Sequence, residues 1–184
     1  MGSKETLEHE METTRQNFHH LLDSVPEASY LHPSHNPAWI NGDVLYHIAL
    51  GMTLIHYEVW LTLHARGLLQ AGLNIIPSRL LNNINARFAD KGKQVTRQRL
   101  IHLYDHGHKG LIFNLKRINE NDFEKWVNVP DELDIILSGK VTIERLFQHV
   151  KIHFDAHAGQ IIFPQRFPWA SGSRQPVGNV VPAV

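Results

Sequence analysis

His153-Phe154-Asp155-Ala156-His157-Ala158-Gly159-Gln160-Ile161 places two imidazoles four residues apart in a segment that otherwise reads as an amphipathic helix. On a helix, positions i and i+4 lie on one face, roughly 6 Å apart along the axis, close enough for both rings to bind one small cation. Leu146, Val150, Gln160 and Ile161 share that face, so the pair points at the core rather than at water. An inner face is apolar unless its polar groups have partners. These imidazoles therefore call for one.

The helix that carries them starts after Thr142, a good N-cap, and ends before Pro164. Three further helical stripes lie upstream. Leu7, Met11, Thr14, Phe18, Leu22 and Val25 line one face of a helix from Lys4 to Ser24, closed by Pro26. Val44, His47, Gly51, Leu54, Glu58 and Leu61 line a second, from Asn41 to Ala65, with Asn41 as expected N-cap and Gly67 and Gly72 as stop signals. Leu100, Leu103, Tyr104, Gly107, Leu111, Leu115 and Ile118 line a third, from Thr96 to Asn119. The connector Glu27–Trp39 is long enough to span a helix if extended. Arg66–Gln94 reads as a connector with a short helix over Arg79–Ala89, and Glu120–Val141 as another connector. No internal repeat and no period-two strand is apparent. The expected fold is all-α, a four-helix bundle over residues 1–163, with an extended tail over 164–184 that holds four prolines.

Composition bounds the function. The chain has 184 residues, enough for one sizeable core. Lys+Arg and Asp+Glu are both 18, so the basic footprint of a nucleic-acid binder is missing. Without cysteine, thiolate ligands, disulfides and cysteine nucleophiles are excluded. No uninterrupted apolar run approaches the roughly 20 residues of a membrane span, and Met1-Gly2-Ser3-Lys4-Glu5 lacks a signal-peptide core. These features set the expectation of a cytoplasmic protein with neither a nucleic-acid nor a membrane partner. The 14 histidines are the compositional oddity.

Position separates those histidines. His47 breaks the inner face of the second long helix as His153 and His157 break the fourth. Three imidazoles around one point make a facial site for Zn²⁺, Ni²⁺ or Fe²⁺, with a remaining position open to water or substrate. His102 and His106 form another i,i+4 pair, but opposite the Leu100–Leu111 stripe, where they face solvent. His149 borders the inner face one turn before His153 and reads as support or lining. Position 154 is Phe, so the general base of a His-Glu-x-x-His protease is lacking, and Asp155 points away from the ligand face.

Trp39-Ile40-Asn41-Gly42-Asp43-Val44-Leu45-Tyr46-His47-Ile48-Ala49 resembles the opening of helix two in the DinB/YfiT-like family, where a Trp precedes a ligand His by eight residues. His149 to Ile161 resembles that family's last helix, with its His-x-x-x-His-x-x-Gln-Ile ending. Phe18, Leu21-Leu22 and Asn85-Ala86-Arg87 are similar but less specific, and the resemblance runs from about Leu7 to Phe163. It implies a four-helix bundle with a long crossover, a divalent metal on His47, His153 and His157, and frequent homodimers. Relatives of this kind act on small molecules: thiol S-transferases using low-molecular-weight thiols, maleylpyruvate isomerase, and hydrolases. The Pro-rich tail and the early stop of the last helix at Gln160-Ile161-Ile162-Phe163-Pro164 depart from the pattern.

Supporting residues carry two readings each. Asp43 either accepts an N–H from a ligand histidine or compensates the helix dipole. Tyr104 either donates a proton or is a buried tyrosine with a satisfied hydroxyl. Asn114 shares the inner side of its helix with Tyr104, and Gln160 is placed to hold a ligand or backbone group. Gly51, one turn after His47, leaves room beside the metal, whereas Glu58 lies roughly 16 Å further along the helix and cannot join the same sphere. Beside a structural interaction module held by the tail Pro164–Val184, two functions remain open at this point. One is a metal-dependent enzyme that delivers a thiol or water to a small electrophile. The other is a non-catalytic metal- or ligand-binding bundle.

Overall fold

The computed structural model describes residues 4–75, 91–131 and 137–163. Within them the apolar stripes become helices α1 (Lys4–Ser24), α2 (Asn41–His64), α3 (Arg66–Ile75), α4 (Arg97–Arg117) and α5 (Ile143–Ala158). Leu7, Met11, Thr14, Phe18, Leu22 and Val25 are all buried, as their spacing on α1 requires. Two helices start where their sequence says. The Thr96 hydroxyl accepts the Arg99 N–H at 3.3 Å and the Thr142 hydroxyl accepts the Arg145 N–H at 3.2 Å, each satisfying an orphan amide of the first turn.

α1 and α2 each pack against both α4 and α5. Contacts along the seams give the directions. On α2 and α4, Thr53 bonds the Leu103 carbonyl and His56 lies against Asn114, so higher numbers meet higher numbers and the two helices run parallel. Parallel neighbours need a return path of helix length. The long crossover therefore lies between α2 and α4, not in Glu27–Trp39. The latter folds back on itself, through a 3-10 turn at Glu27–Ser29 and a bridge between Pro33 and Ile40. It has no helix length to span, because α1 and α2 are antiparallel and the end of one lies near the start of the other.

Several expectations are corrected. Residues 66–75, read as connector, form α3, which continues through Gly67 and Gly72. A glycine inside a helix costs about 1 kcal/mol, a penalty rather than a prohibition. Docking offsets it: the Arg66 guanidinium sits 4.3 Å above the Trp126 ring, and the Gln70 amide brackets the Asn128 backbone at 2.7 and 3.0 Å, acting as a short extra strand. Two strands also form, β1 (Trp126–Val129) and β2 (Gly139–Thr142), antiparallel with Val127 opposite Val141. Four residues each is too short for alternation to stand out in a sequence. The proposed short helix at Arg79–Ala89 and the tail 164–184 lie outside the described residues.

The face drawn on α2 is partly wrong. Val44, Leu45, Ile48, Met52, Ile55, Val59 and Thr62 are buried, whereas Leu54 is 46% exposed. α2 packs against α3 as well as α4 and α5, so it buries more than one stripe and a single i+3/i+4 line drifts off the core. The same helix is the one described segment long and apolar enough to cross a membrane by length and composition, with half of that window buried inside the bundle. Polar residues such as Thr53, His56 and Glu58 interrupt it, so no continuous apolar run is visible.

Asn41 was expected to cap α2 but is its first helical residue, with Ile40 at the N-cap position. The Asp43 carboxylate reaches back to accept the Ile40 N–H at 3.0 Å. Freed from capping, the fully buried Asn41 amide donates to the Ser29 and Ile162 carbonyls at 3.2 and 2.8 Å and accepts the Ile162 N–H at 3.0 Å. One side chain thereby ties the start of α2 to the residues just beyond α5.

The α1–α4 seam carries a polar network. Glu12 pairs with Arg15 at 2.7 Å, Arg15 and His19 both reach Asp105, and buried His108 lies 3.5 Å from Glu12. Burial first, with the Arg15 and His19 charges adding to it, pushes the His108 pKa below its ordinary 6.5 against the raising pull of Glu12 and Asp105. The unfolded chain thus takes up this proton first, so the stability His108 contributes is complete above the unfolded pKa and falls as pH drops below it. We expect the melting temperature of the metal-free protein to fall less between about pH 7 and about pH 5 in His108→Leu than in the unsubstituted chain. Parallel pH profiles would contradict this.

Candidate metal centre

His47, on the second turn of α2, faces the last turns of α5 because these two helices are antiparallel neighbours. One nitrogen from each of His47, His153 and His157 lies within 4.8 Å of the other two, and all three residues are half-buried. His153 Nε2 and His47 Nε2 are 3.2 Å apart. Two imidazole nitrogens bound at about 2.1 Å to one ion sit about 3.0 Å apart in octahedral and about 3.4 Å in tetrahedral geometry. The observed spacing falls between these, so the rings are already close to where a shared cation needs them. Ring centroids are 5.0 Å (His47–His153), 4.4 Å (His47–His157) and 4.7 Å (His153–His157), with interplanar angles of 42°, 75° and 61°. Inclined rings converge at their edges, where the nitrogens are, rather than stacking face to face. Imidazole binds a metal in its neutral form, through the ring nitrogen that carries no proton.

Packing holds this geometry. The Trp39 indole lies 4.8 Å from the His47 ring and 6.1 Å from the His157 ring, covering the cluster from the connector before α2. His149 is buried with its ring 5.7 Å from His153, a lining position and not a member of the three-nitrogen group. Opposite His153 stands Gly51: a β-carbon there would fall 2.3 Å from His153 Cε1 and 2.8 Å from its Nε2. Only a residue without a side chain admits the ring, as its position on the helix had suggested.

The other anticipated residues separate. Asp43 is buried and serves as the reach-back cap of α2, favouring the helix-start reading. Tyr104 is stacked on Phe18 with centroids 4.4 Å apart, and its hydroxyl has no hydrogen-bond partner among the described residues, contrary to the expected satisfied phenol. It lines a narrow apolar gap together with Met52, Val150 and His153. Burial first, and then the nearby Asp105 charge, push its pKa far up, so it stays a neutral donor. Asn114 is not beside the histidines: its amide lies 3.4 Å from His56 Nδ1, roughly 15 Å along α4 from Tyr104. Gln160 follows α5 in a turn; its carbonyl accepts the His35 N–H at 2.8 Å, and its side chain reaches back toward the Ala156 carbonyl at 3.5 Å. His102 and His106 are exposed, as their helix position requires.

Trp39 and Asn41 are the supporting residues that sequence reasoning missed in these roles. The Trp39–His47 spacing was a visible signal. For Asn41 no local signal exists, because its partner Ile162 is 121 residues away.

Two solved structures share the fold. One is a mutant of the mycothiol-dependent maleylpyruvate isomerase, at TM-score 0.65 and 11% identity; the other is that isomerase itself, at 0.64 and 12%. Each alignment covers 87% of this chain and 61% of the other, so the chain spans about three fifths of the isomerase's length. The shared fold is the all-α helical bundle that the sequence resemblance implied. No family model and no curated protein matches the chain.

Two substitutions test this arrangement. Gly51→Ala raises the helix propensity of α2 by about 1 kcal/mol yet displaces His153. We expect unfolding by denaturant to be little changed while zinc affinity, by competition with a chelating dye, falls at least about tenfold. Unaltered affinity would mean that the His153 ring can move freely. Asn41→Ala removes three buried hydrogen bonds and is expected to cost about 1–3 kcal/mol and to weaken metal binding as well. A purely local loss of stability would contradict the tie between α2 and α5.

Proposed function

We propose that this chain is a divalent-metal-dependent enzyme acting on a small, electrophilic molecule, with His47, His153 and His157 holding the ion. The observation that carries the reading is the convergence of three imidazole nitrogens from α2 and α5. The donor set suits Zn²⁺, Ni²⁺ or Fe²⁺ and leaves coordination positions free, as catalytic rather than structural sites do. A bound ion would supply Lewis acidity and lower the pKa of a thiol or water beside it.

The chain's own residues divide the remaining work. Trp39 roofs two of the imidazoles and limits water, so charges inside act at lower dielectric. Gly51 sets the position of His153 by leaving it space. Tyr104, neutral and unbonded among the described residues, is the candidate donor, able to offer a hydrogen bond or proton to an oxygen that gains charge. His149 lines the edge of the centre beside His153, and Gln160 closes the turn after α5. The name of the structurally similar isomerase, mycothiol-dependent, supports a low-molecular-weight thiol as co-substrate, and the reaction class is transfer, isomerisation or hydrolysis. Homodimerisation and a cytoplasmic location complete the reading.

A non-catalytic metal- or ligand-binding bundle is the second reading. It is favoured by the composition of the cluster, which contains three imidazoles and no carboxylate to act as base. Turnover separates the two. The protein loaded in turn with zinc, nickel and iron is incubated with glutathione, cysteine or mycothiol and a panel of epoxides, aryl halides and unsaturated diacids. We expect metal-dependent product formation that is lost in His157→Ala. Tyr104→Phe is expected to lower kcat about 10²-fold with metal content unchanged. Stoichiometric metal without turnover across the panel would favour the binding protein.

A further inference from the structure

A cleft of about 390 Å³ opens between the last turns of α2 and α4. Trp60, which lines it, is thirteen residues beyond His47, about 20 Å along the helix, so the cleft is separate from the metal centre. Its volume falls within the range of small-molecule sites. Two large aromatic side chains on it are left facing solvent: Trp60 is 45% and Phe113 56% exposed. Such rings, side by side on neighbouring helices, mark a surface that water solvates poorly.

The charged lining sets one carboxylate against two cations. Arg117 and Lys125 line the cleft, and Asp122 is the carboxylate among its lining residues. Asp122 is engaged by Lys125 at 2.8 Å. Arg117 pairs with no carboxylate among the described residues; its guanidinium carbon sits 4.4 Å over the centre of the Phe113 ring. Stacking uses the face of a guanidinium and leaves its in-plane N–H donors available. Those donors form the fork that matches a carboxylate. The stack also holds the long side chain in place beforehand, which reduces the ordering cost of binding.

We propose that this cleft binds a small aromatic carboxylate, its ring against Trp60 and Phe113 and its carboxylate on Arg117. A cationic ligand would meet the Arg117 guanidinium with like charge, and a neutral one would leave its fork unused. The site is independent of the metal reading.

The probe is 1-naphthoate, titrated into the metal-loaded full chain and followed by calorimetry and tryptophan quenching, with 1-naphthamide and 1-naphthylmethylammonium as controls. Saturable one-to-one binding is expected for the carboxylate, with both controls at least about tenfold weaker. Arg117→Ala should weaken the carboxylate about tenfold and leave the amide unchanged, Arg117→Glu should reverse the order of carboxylate and ammonium, and Trp60→Ala should weaken all three. His47→Ala, which strips the metal centre, should leave naphthoate binding intact. Four results would each overturn the proposal. They are no saturable binding, an order of preference indifferent to Arg117, binding lost with His47 or on chelation, and a Trp60→Ala variant that dissociates a dimer without changing naphthoate affinity. The third would move the ligand to the metal centre, and the last would make the patch an interface between copies.

Discussion

Bringing His47 within 3.2 Å of His153 is the constraint around which the structure is arranged. Polar rings on an inner face lose water and gain no apolar contact, so their presence there has to be supported by the rest of the bundle. The support is distributed. α2 and α5 run antiparallel, which sets the beginning of one beside the end of the other. Asn41 fastens those two ends together, Gly51 clears the space for a ring, and Trp39 roofs the cluster. None of these devices is required by the hydrophobic core, which Phe18, Leu100, Leu111 and Phe147 fill without them.

The two ends of the bundle differ in chemistry. At one, three half-buried imidazoles converge with their nitrogens close enough to share a cation. At the other, exposed aromatics and a guanidinium already stacked on one of them form a cleft suited to an anion. The α1–α4 seam between them is held by Glu12, Arg15, His19, Asp105 and His108, a network whose strength depends on pH. The neighbouring solved structures share the fold at low identity and extend beyond this chain. The reaction therefore has to be argued from the side chains, since a bundle supports many chemistries.

Much of this was legible in the residues, for identifiable reasons. The residues that α1 buries against α4 and α5 lie on a single stripe at helical spacing, so that stripe names them correctly. Thr96 and Thr142 announce helix starts because a hydroxyl at that position has one obvious partner. The His47–His153–His157 set was found because three imidazoles on inner faces violate the burial rule. What failed depended on tertiary partners. α2 packs against α3 as well as α4 and α5 and buries more than one stripe, so one line through it strayed to Leu54. α3 persists through two glycines because Arg66 and Gln70 dock on the hairpin, and each strand of that hairpin is four residues long. Asn41 looked like a cap, and only its distant partner explains its burial. Asn114 shares a helix face with Tyr104, yet three helical turns separate their surroundings.

X-ray absorption spectroscopy on the zinc-loaded protein tests the convergence of the three imidazoles most directly. The account predicts three histidine nitrogens at about 2.0–2.1 Å with imidazole multiple scattering, completed by lighter oxygen or nitrogen donors, and one fewer imidazole in each single alanine variant of His47, His153 and His157. A first shell with one histidine or none, or a shell unchanged by those substitutions, would contradict it.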